Sequence, residues 1–193
     1  MGPLFQTKVI NRILAICTGV ENLVLLAPAH DDLFEIPREA RNLRRLSINL
    51  ENTSRQFGLR PNFYHPCFTN LTHLHLWDEY WSNYTGWEAL TSLTHLGLAC
   101  SGPPEGVKQL MRRLTTIRYV ALGSYRSGER YRYAEAMVNN SPHIRAAWDV
   151  RVVFLSEIPG PDWERGARGE GDFWDLVERE VEERLGDPAG TVD

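Results

Sequence analysis

Three histidines in the middle of the chain have the residue type and the spacing of a metal site. His73 and His75 stand two residues apart in "NLTHLHLWDEYW", and His95 follows in "SLTHLGL". Side chains two residues apart share one face of a strand, and the neighbouring strand lies about 5 Å away. Three imidazoles and a water are the ligands of a catalytic zinc ion, which lowers the pKa of that water to about 7. One hypothesis is therefore a zinc-dependent hydrolase that uses His73, His75 and His95.

A non-catalytic sheet face explains the same histidines better. Imidazoles on a flat ladder point in parallel rather than toward one centre, and no carboxylate is obviously placed behind them as an outer hydrogen-bond partner. The chain contains no nucleophile elbow, no Walker loop and no dinucleotide fingerprint. The sequence therefore predicts no enzyme activity, no cofactor and no metal.

An internal repeat places these histidines on strands. The pattern apolar-x-x-apolar-x-apolar begins at Leu23, Leu43, Leu71, Leu93, Ile117 and, more weakly, Ile144. The spacings of 20, 28, 22, 24 and 27 residues lie in or near the leucine-rich-repeat range of about 20–29. Between strands, "PEGVKQLMRRL" has apolar residues at helical spacing. The sequence predicts an α/β, leucine-rich-repeat-like solenoid of about six irregular repeats, with parallel strands on the concave face and a C-terminal capping helix.

The whole chain, 1–193, is predicted to form one domain. We expect repeats over 8–155, a flexible turn over 156–171, a helix over 172–186 and a disordered tail over 187–193. Asp172 is placed to cap the helix, which should pack against the last repeat. Its predicted apolar face consists of Phe173, Leu176, Val177, Val181 and Leu185.

The side chains at odd positions of each repeat are predicted to face the concave solvent side, because strand side chains alternate. Counted from the first apolar residue, position three stacks Leu25, Arg45, His73, His95 and Tyr119, and position five stacks Ala27, Ser47, His75, Gly97 and Ala121. Aromatic and arginine side chains dominate the energetics of protein interfaces. The predicted binding face consists of Arg45, Ser47, Asn49, His73, His75, Trp77, His95 and Tyr119.

A second candidate surface alternates arginine with tyrosine in "SYRSGERYRY". Guanidinium groups bind carboxylates and phosphates in bidentate fashion. Arg126, Arg130 and Arg132 are therefore a candidate anion-binding site, although such a stretch is more often a surface loop that leads into a helix.

Composition and charge exclude several classes of partner. The net charge of −4 argues against nucleic acid, which calls for a basic surface. No apolar run approaches the roughly 20 residues that span a bilayer, and the N-terminus does not resemble a secretory signal. The three cysteines lie far apart, which favours reduced thiols. We expect an intracellular protein, cytoplasmic or nuclear, with no membrane partner.

The repeats resemble a known family. The phrases "TGVENLVLLAP", "FTNLTHLHLWD" and "LTSLTHLGLACSG", together with the tail "DFWDLVEREVEERLG", resemble the leucine-rich, F-box-associated hypothetical proteins of mushroom-forming fungi. The resemblance covers roughly Val9 to Leu185. It implies that full-length relatives dock an N-terminal F-box on a cullin–RING ubiquitin-ligase adaptor and select a substrate with the repeats. It implies no catalytic residues, and no F-box-like segment precedes the repeats here.

The leading hypothesis is a non-catalytic protein–protein interaction module, which resembles the substrate-recognition region of such an adaptor. Its partner would be a protein of unknown identity, or a ubiquitin-ligase adaptor reached through a missing upstream F-box. A third hypothesis, beside the hydrolase, is a truncated gene product without an independent role. The reason for this third hypothesis is the uncovered first repeat. Pro28 suits an edge strand, and no polar capping unit precedes that repeat.

Overall fold

The computed structural model describes residues 12–25 except 14, 41–50, 61–99 except 79, 104–123, 148–155 and 163–186 except 164 and 167. The strands are β1 (Asn22–Leu25), β2 (Arg45–Ile48), β3 (His73–Leu76), β4 (His95–Ala99), β5 (Tyr119–Gly123) and β6 (Val152–Leu155). The longer helices within these ranges are α1 (Pro104–Arg113) and α2 (Phe173–Gly186). Short 3₁₀ turns cover Pro66–Phe68, Trp81–Asn83 and Trp87–Ala89.

The strands form one parallel sheet. It has six strands in the order β1-β2-β3-β4-β5-β6, so each strand pairs with its neighbours in the chain. Parallel neighbours cannot be joined by a tight hairpin and need a crossover connection. The helix α1 is one such crossover, and it occupies the predicted helical segment "PEGVKQLMRRL". The predicted α/β class and the parallel pairing are both confirmed.

The register aligns one residue of each central repeat. Arg45 lies opposite His73, His73 opposite His95, and His95 opposite Tyr119. The predicted stacking of these four residues is therefore confirmed.

The prediction was wrong for the first strand. Asn22, not Leu25, lies opposite Arg45, and Val24, not Ala27, lies opposite Ser47. The repeat therefore begins three residues earlier, at Val20. The apolar residues Val20, Leu23 and Leu25 then fit positions one, four and six, and all three pack in the first core.

Both faces of the sheet carry a core within the described residues. The first core contains the strand residues at positions four and six of the repeats, such as Leu74 and Leu96, together with Leu110 of α1. The second core lies on the opposite face, between β5, β6 and α2. It consists of Ala121, Val153, Leu155, Trp163, Phe173, Trp174, Val177 and Val181. A parallel sheet that is covered on both faces is the usual arrangement of α/β proteins.

The helix α2 starts where the sequence predicted. Asp172 accepts a hydrogen bond from the Trp174 amide at 2.9 Å, and Asp175 accepts one from the Asp172 amide at 3.0 Å. This reciprocal pair satisfies two amides that would otherwise lack partners at the helix start. The predicted apolar face was partly wrong, because Leu176 and Leu185 are exposed and Trp174 is buried instead.

The segments at the end of the chain differ in part from expectation. The last strand is β6, whereas the weak repeat at Ile144 lies outside the described residues. Trp163 falls in the stretch predicted to be a flexible turn, yet its indole is buried in the second core. The predicted tail 187–193 lies outside the described part of the chain. Among the described helices, none has the length and apolar character that a bilayer crossing requires.

Candidate functional site

The C-terminal helix lies across the sheet, over the residues that occupy position three. We call Arg45, His73, His95 and Tyr119 the polar ladder. A 14-residue helix is about 20 Å long, which matches four strand spacings of about 4.8 Å. This length lets α2 reach from β2 to β6, rather than covering only the last strand as the sequence predicted.

Three polar contacts join α2 to the ladder. Arg45 forms an ion pair with Asp172, which immediately precedes α2. Nε2 of His95 lies 2.8 Å from Oε1 of Glu178. Tyr119 donates a hydrogen bond from its hydroxyl to Oε1 of Glu182, at 3.3 Å. Beyond the ladder, Arg184 donates to the carbonyl of Val152 at 2.7 Å. Contacts from β2, β4, β5 and β6 therefore follow one another in this order from the start of the helix toward its end.

The two ladder histidines form a stacked pair. The rings of His73 and His95 lie 3.9 Å apart between centroids and are inclined by 7°. The Trp174 ring meets them edge-on, at 5.7 Å from His73 and 5.2 Å from His95. On the other side, Nδ1 of His73 lies 2.9 Å from the Thr72 hydroxyl, and Nδ1 of His95 lies 2.8 Å from the Thr94 hydroxyl. Each ring is thus fixed by an aromatic face and a hydroxyl.

Burial sets the charge state of this pair. Desolvation, with smaller contributions from His95 and Arg45, lowers the pKa of His73 to about 3. Desolvation, followed by Arg45, lowers the pKa of His95 to about 4. His95 is therefore neutral near pH 7, and its contact with Glu178 is a hydrogen bond rather than an ion pair. Desolvation also raises the pKa of Glu178, as do the nearby Asp175, Glu182 and Asp172.

His75 belongs to a separate cluster deeper under the helix. Its Nδ1 lies 2.9 Å from the Ser47 hydroxyl, and the Trp77 indole N–H donates to the same hydroxyl at 2.5 Å. The His75 ring stacks on Trp163 at 6.0 Å and contacts Phe173 at 5.5 Å. Desolvation lowers the pKa of His75 to about 3. Although a serine and a histidine are paired here, both are fully buried, so no substrate can reach them.

The predicted exposure of the binding face was wrong for its central residues. Ser47 and His75 have 0% of their surface exposed and His95 has 7%, because α2 and Trp163 cover them. Arg45, Asn49, His73, Trp77 and Tyr119 are partly exposed. The side chains at odd positions do share one face of the sheet, as predicted. That face packs against α2 and Trp163 instead of lying open to solvent.

The structure also changes the set of ligands in the alternative zinc hypothesis. The structure brings His73 and His95 together with Glu178, whose ligand atoms all lie within 4.8 Å of one another, and it places His75 in the separate cluster. Sequence reasoning missed Glu178. The sequence pattern that could have indicated Glu178 is the acidic stripe of α2. Glu178 and Glu182 are one turn apart and therefore share a face of the helix.

Two residues of the predicted binding face, Asn49 and Trp77, lie just past the ends of β2 and β3, and Tyr80 follows Trp77 in the chain. We call Asn49, Trp77 and Tyr80 the carboxyl-end rim. The Trp77 amide donates to the Ile48 carbonyl at 3.1 Å, which holds the rim against β2. The Tyr80 side chain is 50% exposed, whereas the neighbouring Trp81 is buried. The rim therefore retains exposed aromatic surface that the covered ladder does not.

The candidate anion site, Arg126, Arg130 and Arg132, lies outside the described residues.

Comparison with known proteins identifies no relative. No family model matches the chain, and neither the curated proteins nor the solved structures contain a match.

Proposed function

We propose that this chain is a non-catalytic protein-interaction module that contacts its partner at the carboxyl-end rim. The supporting observation is the half-exposed Tyr80 side chain, which follows the partly exposed Trp77 in the chain just past the end of β3. Loops that a rigid scaffold holds at the ends of its strands are common sites of binding residues. The rim occupies that position in this sheet.

The rim has the physical properties of an interface anchor. Large aromatic side chains contribute most of the energy at protein interfaces. The Trp77 indole is held by Ser47, so its orientation is fixed before a partner arrives. A ring that is already ordered loses less side-chain entropy on binding, a cost of about 0.5–1.5 kcal/mol for each immobilised side chain.

The polar ladder is a poorer candidate for the contact surface. A partner that used it would have to displace α2 and expose Phe173, Trp174, Val177 and Val181, all of which are buried. Each such side chain contributes about 1.5–3 kcal/mol by burial, so the four together contribute roughly 6–12 kcal/mol. That sum is comparable to the whole stability of a typical domain, about 5–15 kcal/mol. The helix is therefore part of the fold rather than a removable cover.

The finer fold assignment belongs to the same proposal. A leucine-rich-repeat-like solenoid is supported by the sequential parallel order and by the register that aligns Arg45, His73, His95 and Tyr119. A partner at the rim fits the substrate-recognition role that the family resemblance implies. We therefore propose a protein substrate of a ubiquitin ligase as the class of partner.

Tyr64 offers a matched control for the test. Its side chain is 60% exposed, it is also a tyrosine, and its hydroxyl hydrogen-bonds Glu88 rather than lying at the rim. Affinity capture from cells of the native source would compare the wild-type chain, Tyr80→Ala and Tyr64→Ala, with captured proteins quantified by mass spectrometry. We expect Tyr80→Ala to lose the proteins that the wild-type chain and Tyr64→Ala retain. Equal capture by all three chains, or no specific capture, would contradict the proposal.

A further inference from the structure

We infer that His73, His95 and Glu178 bind a divalent cation of the zinc type at the seam between the sheet and α2. Their ligand atoms lie within 4.8 Å of one another, although the residues come from β3, β4 and α2. Two imidazole nitrogens and one carboxylate oxygen are a donor set that zinc takes in proteins, with a water in the remaining position.

The hydroxyls behind the rings suit metal ligation. Thr72 Oγ1 lies 2.9 Å from Nδ1 of His73 and 3.1 Å from the Arg44 carbonyl. Thr94 repeats the arrangement, at 2.8 Å from Nδ1 of His95 and 3.2 Å from the Thr72 carbonyl. Each hydroxyl can accept the Nδ1 hydrogen while it donates its own to the carbonyl. In this tautomer Nε2 is unprotonated, as metal ligation requires, and the outer partner lies on the other nitrogen. In the metal-free chain a hydrogen lies between Nε2 of His95 and Glu178, and the bound ion takes its place.

The charges around Glu178 favour a cation. The carboxylates of Asp175, Glu182 and Asp172 act on Glu178 as neighbouring negative charges, and Arg45 acts on it as a positive one. The positive group that faces it, Arg45, is already paired with Asp172. A bound divalent cation would relieve this repulsion.

Binding requires a small rearrangement of the rings. A tetrahedral ion with Zn–N bonds of about 2.0–2.1 Å holds its nitrogens about 3.3 Å apart and lies in the plane of each ring. The two rings are inclined by only 7°, so they must tilt toward each other. Rotation about the last side-chain torsion of histidine supplies this tilt, and it must loosen the stacking that holds the two rings in the metal-free state. The side chain of Glu178 is 39% exposed, so the ion can enter and keep a water.

Zinc titration of the metal-free full-length chain tests the inference. The background carries Cys17→Ser, because Cys17 is an exposed thiol that could bind zinc by itself. We expect one zinc per chain by calorimetry and a higher midpoint of thermal unfolding, since a ligand that binds only the folded state stabilises it. Cobalt substitution should give the visible absorption of a tetrahedral site.

The variants distinguish this site from general binding. Glu178→Gln removes the charge but can still accept a hydrogen bond from His95, and we expect at least a tenfold loss of zinc affinity. Glu182→Gln, one turn further along the same helix, removes an equal charge but no ligand atom, so it should lose much less zinc affinity than Glu178→Gln. His73→Asn is a second variant that keeps a polar atom near Thr72 and should also lose zinc. Absence of stoichiometric binding by the wild-type chain, or wild-type affinity in both Glu178→Gln and His73→Asn, would overturn the inference.

Discussion

Nε2 of His95 on β4 lies 2.8 Å from Oε1 of Glu178 on α2, across 83 residues of sequence. The imidazole is neutral at pH 7 because burial lowers its pKa to about 4. The contact ties the C-terminal helix to the middle of the sheet. Together with the Arg45–Asp172 and Tyr119–Glu182 contacts, it makes the polar ladder part of the interface between the sheet and α2.

Acid should destabilise the fold well before the carboxylates titrate. The pKa values of His73, His75 and His95 fall from the ordinary 6.5 to about 3, 3 and 4. Below pH 6.5 the unfolded chain therefore binds more protons than the folded one, so stability is present above that pH and is lost as the pH falls toward about 4. Glu178, whose pKa is raised, acts in the opposite direction and offsets part of this loss. Urea unfolding across this range measures the slope, and a free energy of unfolding that does not fall between about pH 6.5 and about pH 4.5 would contradict the assignment.

Two glycines should respond in opposite ways to alanine. A Cβ at Gly97 would lie 2.5 Å from Cδ2 of the buried His75 ring, so Gly97→Ala must displace packed atoms. We expect a loss of about 1–3 kcal/mol in the free energy of unfolding. A Cβ at Gly106, within α1, would meet only Trp81 at an ordinary 3.5 Å. Gly106→Ala should gain roughly 0.5–1 kcal/mol from helix propensity, and a comparable loss in both variants would refute the predicted packing of His75 against β4.

The helix α2 should contribute to global stability through one side only. Val177 is fully buried in the second core, whereas its neighbour Leu176 is 42% exposed. Val177→Ala should cost roughly 1–3 kcal/mol, because it removes buried methyl groups and leaves a cavity. Leu176→Ala should change the free energy of unfolding by less than about 0.5 kcal/mol. If the two variants were equally stable in chemical denaturation, α2 would not be seated as described.

The strand pattern could be predicted from the sequence because it depends on local alternation. Leucines at positions four and six require burial, and their spacing fixes the register that stacks Arg45, His73, His95 and Tyr119. The phase of β1 was missed because "NLVLL" offers two overlapping leucine patterns. Only pairing with β2 selects the one that begins at Val20.

The covering of the ladder could not be predicted in the same way. The amphipathic pattern of α2 indicates that one side is buried, but it does not say which surface that side meets. Trp163 stands in a glycine- and arginine-rich stretch that is typical of a loop, yet it packs against His75. The spacing of Glu178 and Glu182 places both on one stripe of α2, but the pairing of His95 with Glu178 arises only from tertiary packing.

The position of α2 over the ladder is tested most directly by a double-mutant cycle at its first contact. Arg45→Met removes the guanidinium, and Asp172→Asn removes the charge while it keeps a side chain able to cap α2. Because Arg45 and Asp172 are paired, we predict a coupling free energy of about 1–3 kcal/mol between the two substitutions, measured by urea unfolding of all four chains. Additive effects, with a coupling below about 0.3 kcal/mol, would mean that α2 does not reach β2 and that the sheet face is open.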